Sequence, residues 1–296
     1  MGFLIPFFFI RLRPGIPWLF GAMTFAGAIK LKARDLAIAV KNPLPIIVFF
    51  ISAHLIMPVA VLFLSNLIFG RNPDTVSGFV LVYTVPTAVS GFIWVSIYRG
   101  DPALSLALIL LDTLLAPFLV PGTIRLLLGT SVMLDIIGMA ISLVYMIVIP
   151  TIAGVALNEI SRGSVPRIIG PYLGPVSKIC LALVISANCA AVAGQIDFLD
   201  IRIWIIAAAC IGFAVLGFSC GKLTGLVCRR ILPPGSDSRE KEVSIFFASG
   251  LRNTSAAMTL GIDFFPGSAA LPSVLGIVFQ QTICAITGKL YLGKRK

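Results

Sequence analysis

The stretch FFASGLRNTSAAMTLGIDFFPG, Phe246 to Gly267, decides how this chain is interpreted. Most of the stretch is apolar enough for a membrane-spanning helix, yet four polar residues lie together in its first half: Arg252, Asn253, Thr254 and Ser255. An arginine at the centre of a span costs at least about 2.5–3.5 kcal/mol on insertion scales, so its side chain must face a cavity or a partner. The stretch therefore predicts a functional element inside the membrane.

The composition of the whole chain agrees with a membrane location. Of its 296 residues, 58% are hydrophobic and 12% are charged, whereas a soluble domain has roughly 45–50% apolar and about 25% charged residues. A β-barrel would show alternating segments of about ten residues. The apolar runs here are long and continuous, so the sequence predicts an all-α integral membrane protein.

Nine apolar runs are long enough to cross a hydrocarbon core of about 30 Å. They occupy residues 15–31, 44–69, 76–98, 102–128, 131–157, 172–195, 201–232, 243–265 and 268–292. A further apolar fragment at residues 1–10 is too short to span, and we interpret it either as the remnant of an extra first helix or as the result of a late start codon. No linker marks a soluble domain, so residues 1–296 are predicted to form a single transmembrane domain.

The net charge of +11 reflects loop placement rather than a nucleic-acid partner. The basic residues lie mainly in alternate short loops, which is typical of topology signals. These residues are Lys30, Lys32, Arg34, Lys41, Arg99, Arg162, Arg167, Arg229, Arg230, Arg239, Lys241, Lys294, Arg295 and Lys296. The pattern predicts a multi-pass protein of the cell membrane with its N-terminus outside and its C-terminus in the cytoplasm.

Two segments of the chain are alike, and each has a small, polar patch inside a span. The first patch runs from Pro86 to Gly91, where the proline removes a backbone donor, and the second surrounds Arg252. Such pairs of interrupted spans indicate a transporter binding site, although small residues also allow close helix packing. The first patch adds Thr87 and Ser90 to the candidate substrate contacts.

These segments resemble the bile acid:sodium symporter family. The likeness rests on GDPALSLAL from Gly100, GLRNTSAA from Gly250 and, more weakly, SAHLIMP from Ser52. The resemblance implies nine or ten helices in an inverted repeat, with two crossed broken helices that correspond to the third and eighth runs. It also implies transport by alternating access through one transmembrane transporter domain.

The departures from the family pattern concern sodium. Sodium-coupled members typically carry Ser-Asn where this chain has Gly91 and Phe92, a glutamate where it has Ala248, and a glutamine where it has Arg252. A threonine ligand is replaced by Ile109. The resemblance retains Asn253 and Ser105 as candidate coupling-ion ligands. Because an arginine stays protonated in proteins, we interpret its guanidinium as standing where sodium would stand.

Four polar residues within the spans have alternative interpretations. Arg252 either binds an anionic group of the substrate through its forked donors or forms an ion pair with Asp112, and the two states can alternate. Asp112 is either a proton carrier or a stable counter-ion. His54, the only histidine, is expected to pack or to bond to backbone, and Gln280 is a candidate cavity-lining residue.

The sequence therefore predicts a secondary active transporter of a small organic anion, with sodium or a proton as coupling cation. The alternatives are a proton-coupled or uncoupled carrier, and an arsenite-type efflux permease, which would need a cysteine in the first broken helix that is absent here. An intramembrane enzyme or a structural membrane subunit remain as non-transport alternatives. The chain contains no nucleotide-binding P-loop, and we expect no cofactor and no enzymatic activity.

Overall fold

The computed structural model describes residues 2–3, 5–33, 43–129, 134–232 and 238–293. Within these ranges the chain is helical, and an isolated β-bridge between Thr87 and Arg252 is its only β-type pairing. The loop residues Arg34, Lys41 and Lys294 to Lys296, which contribute to the predicted orientation, lie outside the described residues.

Twelve α-helices in the described ranges are numbered here in chain order. They are α1 (Pro6–Phe9), α2 (Ile16–Ala28), α3 (Leu44–Phe69), α4 (Pro73–Thr84), α5 (Gly91–Ile97), α6 (Pro102–Leu128), α7 (Ile136–Ile160), α8 (Ser164–Val192), α9 (Ile201–Ile231), α10 (Ser238–Gly250), α11 (Thr254–Phe264) and α12 (Leu271–Leu292). A 3₁₀ turn, Ile10–Gly15, joins α1 to α2.

Six of these helices are long and apolar enough to cross a membrane, namely α3, α6, α7, α8, α9 and α12. Their outward faces expose large apolar side chains such as Phe118, Leu126 and Tyr172, each more than 70% exposed. In water these faces would expose too large an apolar surface to the solvent. Lipid is therefore the environment that suits them. The protein is therefore an integral membrane α-protein, while the count of nine crossings stays a prediction.

The predicted runs at 76–98 and 243–265 are each divided into two shorter helices. The first run is interrupted between Thr84 and Gly91. The second is interrupted between Gly250 and Thr254. Both interruptions lie where the sequence predicts them. We call the two interruptions together the crossing.

The helices pack in two groups. The first group consists of α2, α7 and α8, with α2 packed against both of the others, and the N-terminal turns also lie on α8. In the second group α9 packs on α10 and α12, α3 packs on α4, and the crossing lies among them. A buried hydrogen bond from Asn188 Nδ2 of α8 to Thr259 Oγ1 of α11 (2.9 Å) connects the two groups.

Two of the long helices contain a π turn that ends two residues before a proline. The turn Ser52–Ile56 lies inside α3, and Val144–Val148 lies inside α7. Pro58 and Pro150 follow these turns, and a proline cannot donate the backbone hydrogen bond that a regular helix requires. The wider turn accommodates the missing donor, and such π turns occur frequently at functional sites.

Candidate functional site

The two interruptions run antiparallel and join through their backbones. Ala88 N donates to Leu251 O and Asn253 N donates to Pro86 O, both at 2.9 Å. Backbone groups without a helical partner are tolerated inside a membrane protein only when other protein groups or a cavity satisfy them. Through this short antiparallel pairing, each interruption supplies hydrogen-bond partners to backbone groups of the other that have no partner within a helix.

Thr87 connects the two interruptions and α6 by donating hydrogen bonds to three acceptors. Its hydroxyl lies 2.8 Å from the carbonyl oxygen of Ala248 and 2.9 Å from that of Leu251, so it can donate to either. Its backbone N–H donates to Asp112 Oδ2 at 2.8 Å. Thr87, a predicted substrate contact, is thus engaged in binding the second broken helix and α6.

The guanidinium of Arg252 lies at the centre of the crossing, fully buried. Nη1 donates to Val85 O at 3.3 Å and lies 3.7 Å from Asp112 Oδ2, while Nη2 donates to Ala53 O. The ion pair with Asp112 that the sequence suggested is present. Two carbonyl oxygens and a carboxylate thus surround one positive charge, a ligand set typical of a hard cation site.

The free carbonyl of Ala53 results from the π turn in α3. Met57 N donates to Ser52 O within that turn, and the next residue, Pro58, has no N–H to offer. The oxygen of Ala53 consequently lacks a donor in its own helix and accepts one from Arg252. A local feature of α3 therefore creates one of the acceptors that hold the guanidinium.

Asp112 is the meeting point of three donors from three elements. In addition to Thr87 N and Arg252, it contacts His54, whose Nε2 lies 2.7 Å from Asp112 Oδ1. The expected packing of His54 is confirmed by its stacking on Phe50, with ring centroids 5.4 Å apart. Its contact with the carboxylate was not predicted from the sequence. We call His54, Asp112 and Arg252 the charge cluster.

Two buried nitrogens of the charge cluster have no hydrogen-bond partner among the described residues. They are His54 Nδ1 and Arg252 Nε. Buried polar atoms are usually satisfied, so unsatisfied ones in a native structure indicate a functional demand or a bound small molecule. The two side chains contact different oxygens of the same carboxylate, since His54 lies at Oδ1 and Arg252 at Oδ2 of Asp112.

Polar residues of the second broken helix and of α12 surround the N-terminus of α11. Gln280 Nε2 donates to Arg252 O at 2.8 Å, and Thr254 Oγ1 lies 3.3 Å from Gln280 Oε1. Asn253 caps α11 by accepting from Ala256 N at 3.2 Å. The positive end of a helix attracts anions.

Thr254 and Gln280 also line a cavity of about 20 Å³ between α4, α9, α11 and α12. Phe79, Tyr83 and Cys210 contribute further walls. Such a volume holds about one water molecule. An organic anion therefore requires the surrounding helices to separate before it can bind there.

Three further predicted site residues lie apart from the charge cluster's contacts. Ser90 is half-buried, and its hydroxyl accepts from Gln281 Nε2 at 3.3 Å. Ser105 is buried on α6, seven residues before Asp112, and Ser255 is buried in the first turn of α11. Of the candidates, the structure thus joins Arg252, Asp112, Thr87 and Gln280 most directly.

Comparison with known proteins decides the family. Residues 17–197 match the model of the Sodium Bile acid symporter family. The uncharacterized protein YbaS of Bacillus subtilis (strain 168) is 34% identical, and the similarity covers 97% of this chain and 92% of YbaS. The chain belongs to the sodium bile acid symporter family. The resemblance seen in the sequence is confirmed, and the protein is a membrane transporter.

Other relatives within the symporter family are more distant. The probable sodium/metabolite cotransporter BASS3 of Arabidopsis thaliana, a chloroplastic protein, is 27% identical over 88% of this chain. This chain spans 58% of the length of that protein. The uncharacterized sodium-dependent transporter YocS of Bacillus subtilis is 25% identical over 95% of this chain and 84% of YocS.

Sequence reasoning missed two elements of this symporter-family site. The carboxylate contact of His54 and the carbonyl of Ala53 both depend on the π turn of α3. A signal for the turn was available, because Pro58 follows Ala53 by five residues inside a long apolar run. The partners of these groups are 58 and 199 residues away in the chain, so no local pattern identifies them.

Proposed function

We propose that this protein is a secondary active transporter that moves a small organic anion by alternating access. The observation that supports this most directly is a buried guanidinium at the crossing of two broken helices, beside the N-terminus of α11. Arg252 supplies a permanent positive charge, and α11 adds the positive end of its dipole. An anionic substrate is the complement of both.

The substrate-binding site in this proposal consists of Arg252, Asn253, Thr254, Ser255 and Gln280. Thr87 and Ser90 complete it on the side of the first broken helix. Arg252 alternates between Asp112 and the substrate, because both anions need the same forked donors. The ion-paired arrangement at 3.7 Å is then the substrate-free state of the guanidinium.

The choice of coupling cation depends on which group occupies the centre of the crossing. The names of the relatives BASS3 and YocS favour sodium coupling. In this chain, however, Arg252 takes up Ala53 O, Val85 O and Asp112, which are oxygens that a sodium ion would need. We propose that the guanidinium replaces a cation at this position. Ser105 and Asn253 are then the candidate ligands of a coupling ion elsewhere, and Asp112 is the candidate carrier of a coupling proton.

The proposed membrane topology has nine crossings with an external N-terminus in the cell membrane. Contacts between the helix ends are consistent with it. Asn158 Nδ2 donates to Leu31 O and Asp101 N donates to Glu240 O on the side assigned to the cytoplasm. On the opposite side Arg13 Nη2 lies 2.6 Å from Asp263 Oδ1. Each contact pairs ends that nine alternating crossings would place on one face.

A ligand-stabilisation screen followed by uptake tests the function. Purified protein is heated with cholate, taurocholate and a set of small carboxylates and sulfonates, with and without sodium and at several pH values. We expect an organic anion to raise the unfolding temperature and to be accumulated by proteoliposomes under an imposed ion gradient. Failure of every anion both to stabilise the protein and to enter the vesicles would contradict the proposal.

Substitutions of Arg252 test whether its guanidinium binds the anion. Arg252→Gln removes the charge and should abolish the stabilisation by the anion, whereas Arg252→Lys keeps the charge but loses the fork and should weaken binding about tenfold or more. Arg13→Gln is the matched control, since that arginine lies half-exposed in the external ion pair. Full uptake by Arg252→Gln would show that the guanidinium does not bind the substrate.

A further inference from the structure

We propose that the C-terminal end of α9 binds an anionic phospholipid. Arg229 and Arg230 contact the phosphate of its headgroup, and the exposed side chains of Leu223 and Val227 lie along its acyl chains. None of these four residues is a candidate substrate or coupling-ion residue, so the site is independent of the proposed function.

The last turn of α9 lies at the depth of lipid headgroups. The helix has 31 residues. At a rise of 1.5 Å per residue it is about 46 Å long, whereas the hydrocarbon core is about 30 Å thick. Even a tilted α9 therefore extends beyond the core. Arg229 and Arg230 lie within its last turn, and charged side chains favour the membrane surface over the core.

One face of α9 combines apolar side chains with a guanidinium at its end. Leu223, Val227 and Arg230 follow one another at intervals of four and three residues, which places them on the same side of a helix. Leu223 is 64% exposed and Val227 is 47% exposed, and Arg230 is also exposed. A phospholipid has the same order of chemistry, with acyl chains toward the membrane centre and a phosphate at the surface.

The C-terminal end of α12 provides a second wall beside this face. Tyr291 Oη lies 2.9 Å from Ser219 Oγ of α9, one turn before Leu223. Tyr291 and its neighbour Leu290 are both exposed. Tyrosine is enriched at the boundary between hydrocarbon and headgroups, because its ring is apolar and its hydroxyl is polar. The apolar surface available to acyl chains thus extends over two helices.

Glu242 of α10 holds one of the two guanidiniums in place. Its carboxylate is fully buried and accepts from Lys222 Nζ at 2.5 Å and from Arg229 Nη1 at 3.3 Å. One negative charge thus faces two positive charges, which leaves a net attraction for an anion. The side chain of Arg229 remains 47% exposed. Because its position is fixed before a ligand arrives, less conformational entropy is lost when a phosphate binds.

Basic residues outnumber acidic ones around this site. The described residues of 222–232 and 238–242 include five basic and two acidic side chains, namely Lys222, Arg229, Arg230, Arg239 and Lys241 against Glu240 and Glu242. Such a cluster at the end of a membrane span attracts anionic lipids. A topology signal requires only the number of positive charges. The buried carboxylate of Glu242 adds a fixed orientation for one of them, which favours a binding site.

Lipid binding by the purified protein tests this site. Protein in a non-ionic detergent is titrated with dioleoyl-phosphatidylglycerol or with dioleoyl-phosphatidylcholine, and native mass spectrometry counts the bound lipids. We expect the anionic lipid to bind at least about tenfold more tightly than the zwitterionic one. Equal binding of the two lipids would overturn the proposal.

Phosphates without acyl chains distinguish a lipid from a free anion. Inorganic phosphate and glycerol 3-phosphate lack the part that lies along Leu223 and Val227, so neither should displace phosphatidylglycerol at about tenfold excess over the lipid. Displacement by either compound would show that the site recognises phosphate alone and would contradict a lipid site.

Substitutions assign the binding to the end of α9. Arg229→Gln combined with Arg230→Gln should remove most of the preference for phosphatidylglycerol. Arg162→Gln combined with Arg167→Gln is the matched control, because it removes the same charge from two exposed arginines near the start of α8. An equal loss of preference in the control would indicate general surface charge and contradict the site.

A photoactivatable phosphatidylglycerol gives a measurement that needs no variant. After irradiation of the wild-type protein, we expect cross-links in peptides that contain residues 223–231 of α9 or the end of α12. Cross-links confined to other helices would refute the site, and this result stands even if the double variant at Arg229 and Arg230 does not fold.

Discussion

At the scale of single residues, the charge cluster shows how a membrane protein can bury an arginine. The guanidinium of Arg252 exchanges water for one carboxylate and two backbone carbonyls supplied by three different elements. Desolvation of both charges offsets much of their attraction, so such a pair contributes little net stability. Its two members nevertheless depend on each other, because either one alone would be an uncompensated buried charge.

This dependence gives a prediction for stability. Asp112→Asn and Arg252→Gln should each lower the free energy of unfolding by about 3–5 kcal/mol. The double variant should lose clearly less than the sum, since it leaves no unpaired charge. Thermal or denaturant unfolding in detergent measures all three. Asp263→Asn serves as the control, because an exposed pair contributes only about 0–1 kcal/mol; additive losses in the double variant would argue against the coupling.

At the scale of elements, α9 and α10 pack closely through a row of glycines. Gly217, Gly221 and Gly225 recur every four residues on α9. Gly221 and Gly225 face α10, whereas Gly217 lies nearest to Tyr83 and Met57. A Cβ at Gly221 would lie 2.8 Å from Phe246 O, and one at Gly225 would lie 2.9 Å from Glu242 O. Small residues at this spacing let helix backbones approach one another in membranes.

Gly221→Ala should therefore weaken this helix pair. Overpacking against a backbone oxygen costs typically about 1–3 kcal/mol, and the loss should appear as a lower unfolding temperature. Gly212→Ala on the same helix is the matched control, since its Cβ would meet no atom within 4 Å. The control should be neutral or slightly stabilising, because alanine favours helix by about 0.5–1 kcal/mol over glycine. Equal stabilities of the two variants would contradict the packing role.

The π turn of α3 gives a second prediction at this scale. Pro58→Ala restores a backbone N–H that competes with Arg252 for Ala53 O, and hydrogen bonds to charged groups are worth about 1.5–3 kcal/mol. We expect anion uptake to fall about tenfold or more. Pro150→Ala makes the same change after the π turn of α7, which belongs to the first group of helices. Uptake that falls as much in Pro150→Ala would point to a general folding effect.

At the scale of the whole molecule, few polar contacts between described residues hold the two groups of helices together. Asn188 of α8 donates to Thr259 of α11, and Arg13 pairs with Asp263 near the end of α11. Asn188 is buried, and its Oδ1 has no partner among the described residues. For the alternating access proposed above, we therefore expect the boundary between the groups to be the plane of relative movement.

A cross-link across this boundary tests that movement. Asn188→Cys combined with Thr259→Cys, joined by a short bifunctional thiol reagent, should stop uptake because the groups can no longer separate. Each single cysteine variant, treated identically, is the control for modification of the six native cysteines, five of which are buried. Undiminished uptake by the cross-linked double variant would place the moving boundary elsewhere.

Much of the architecture could be predicted because it depends on local properties of the chain. The length of an apolar run decides whether a helix can span, so the helical membrane class followed from composition and run length. Pro86 and the polar residues around Arg252 interrupt their own helices, so both interruptions were located correctly. The blocks from Gly100 and Gly250 were specific enough to identify the family.

By itself, then, the sequence determined the membrane helices, the two interruptions and the family of this protein. Only the tertiary structure decided which groups surround the buried charge. Ala53, Val85, Asp112 and Arg252 come from four separate segments, and their contacts depend on the angle and depth at which the helices cross. That geometry is set by packing over the whole molecule, and so the link between His54 and Asp112 emerges only when the helices are in place.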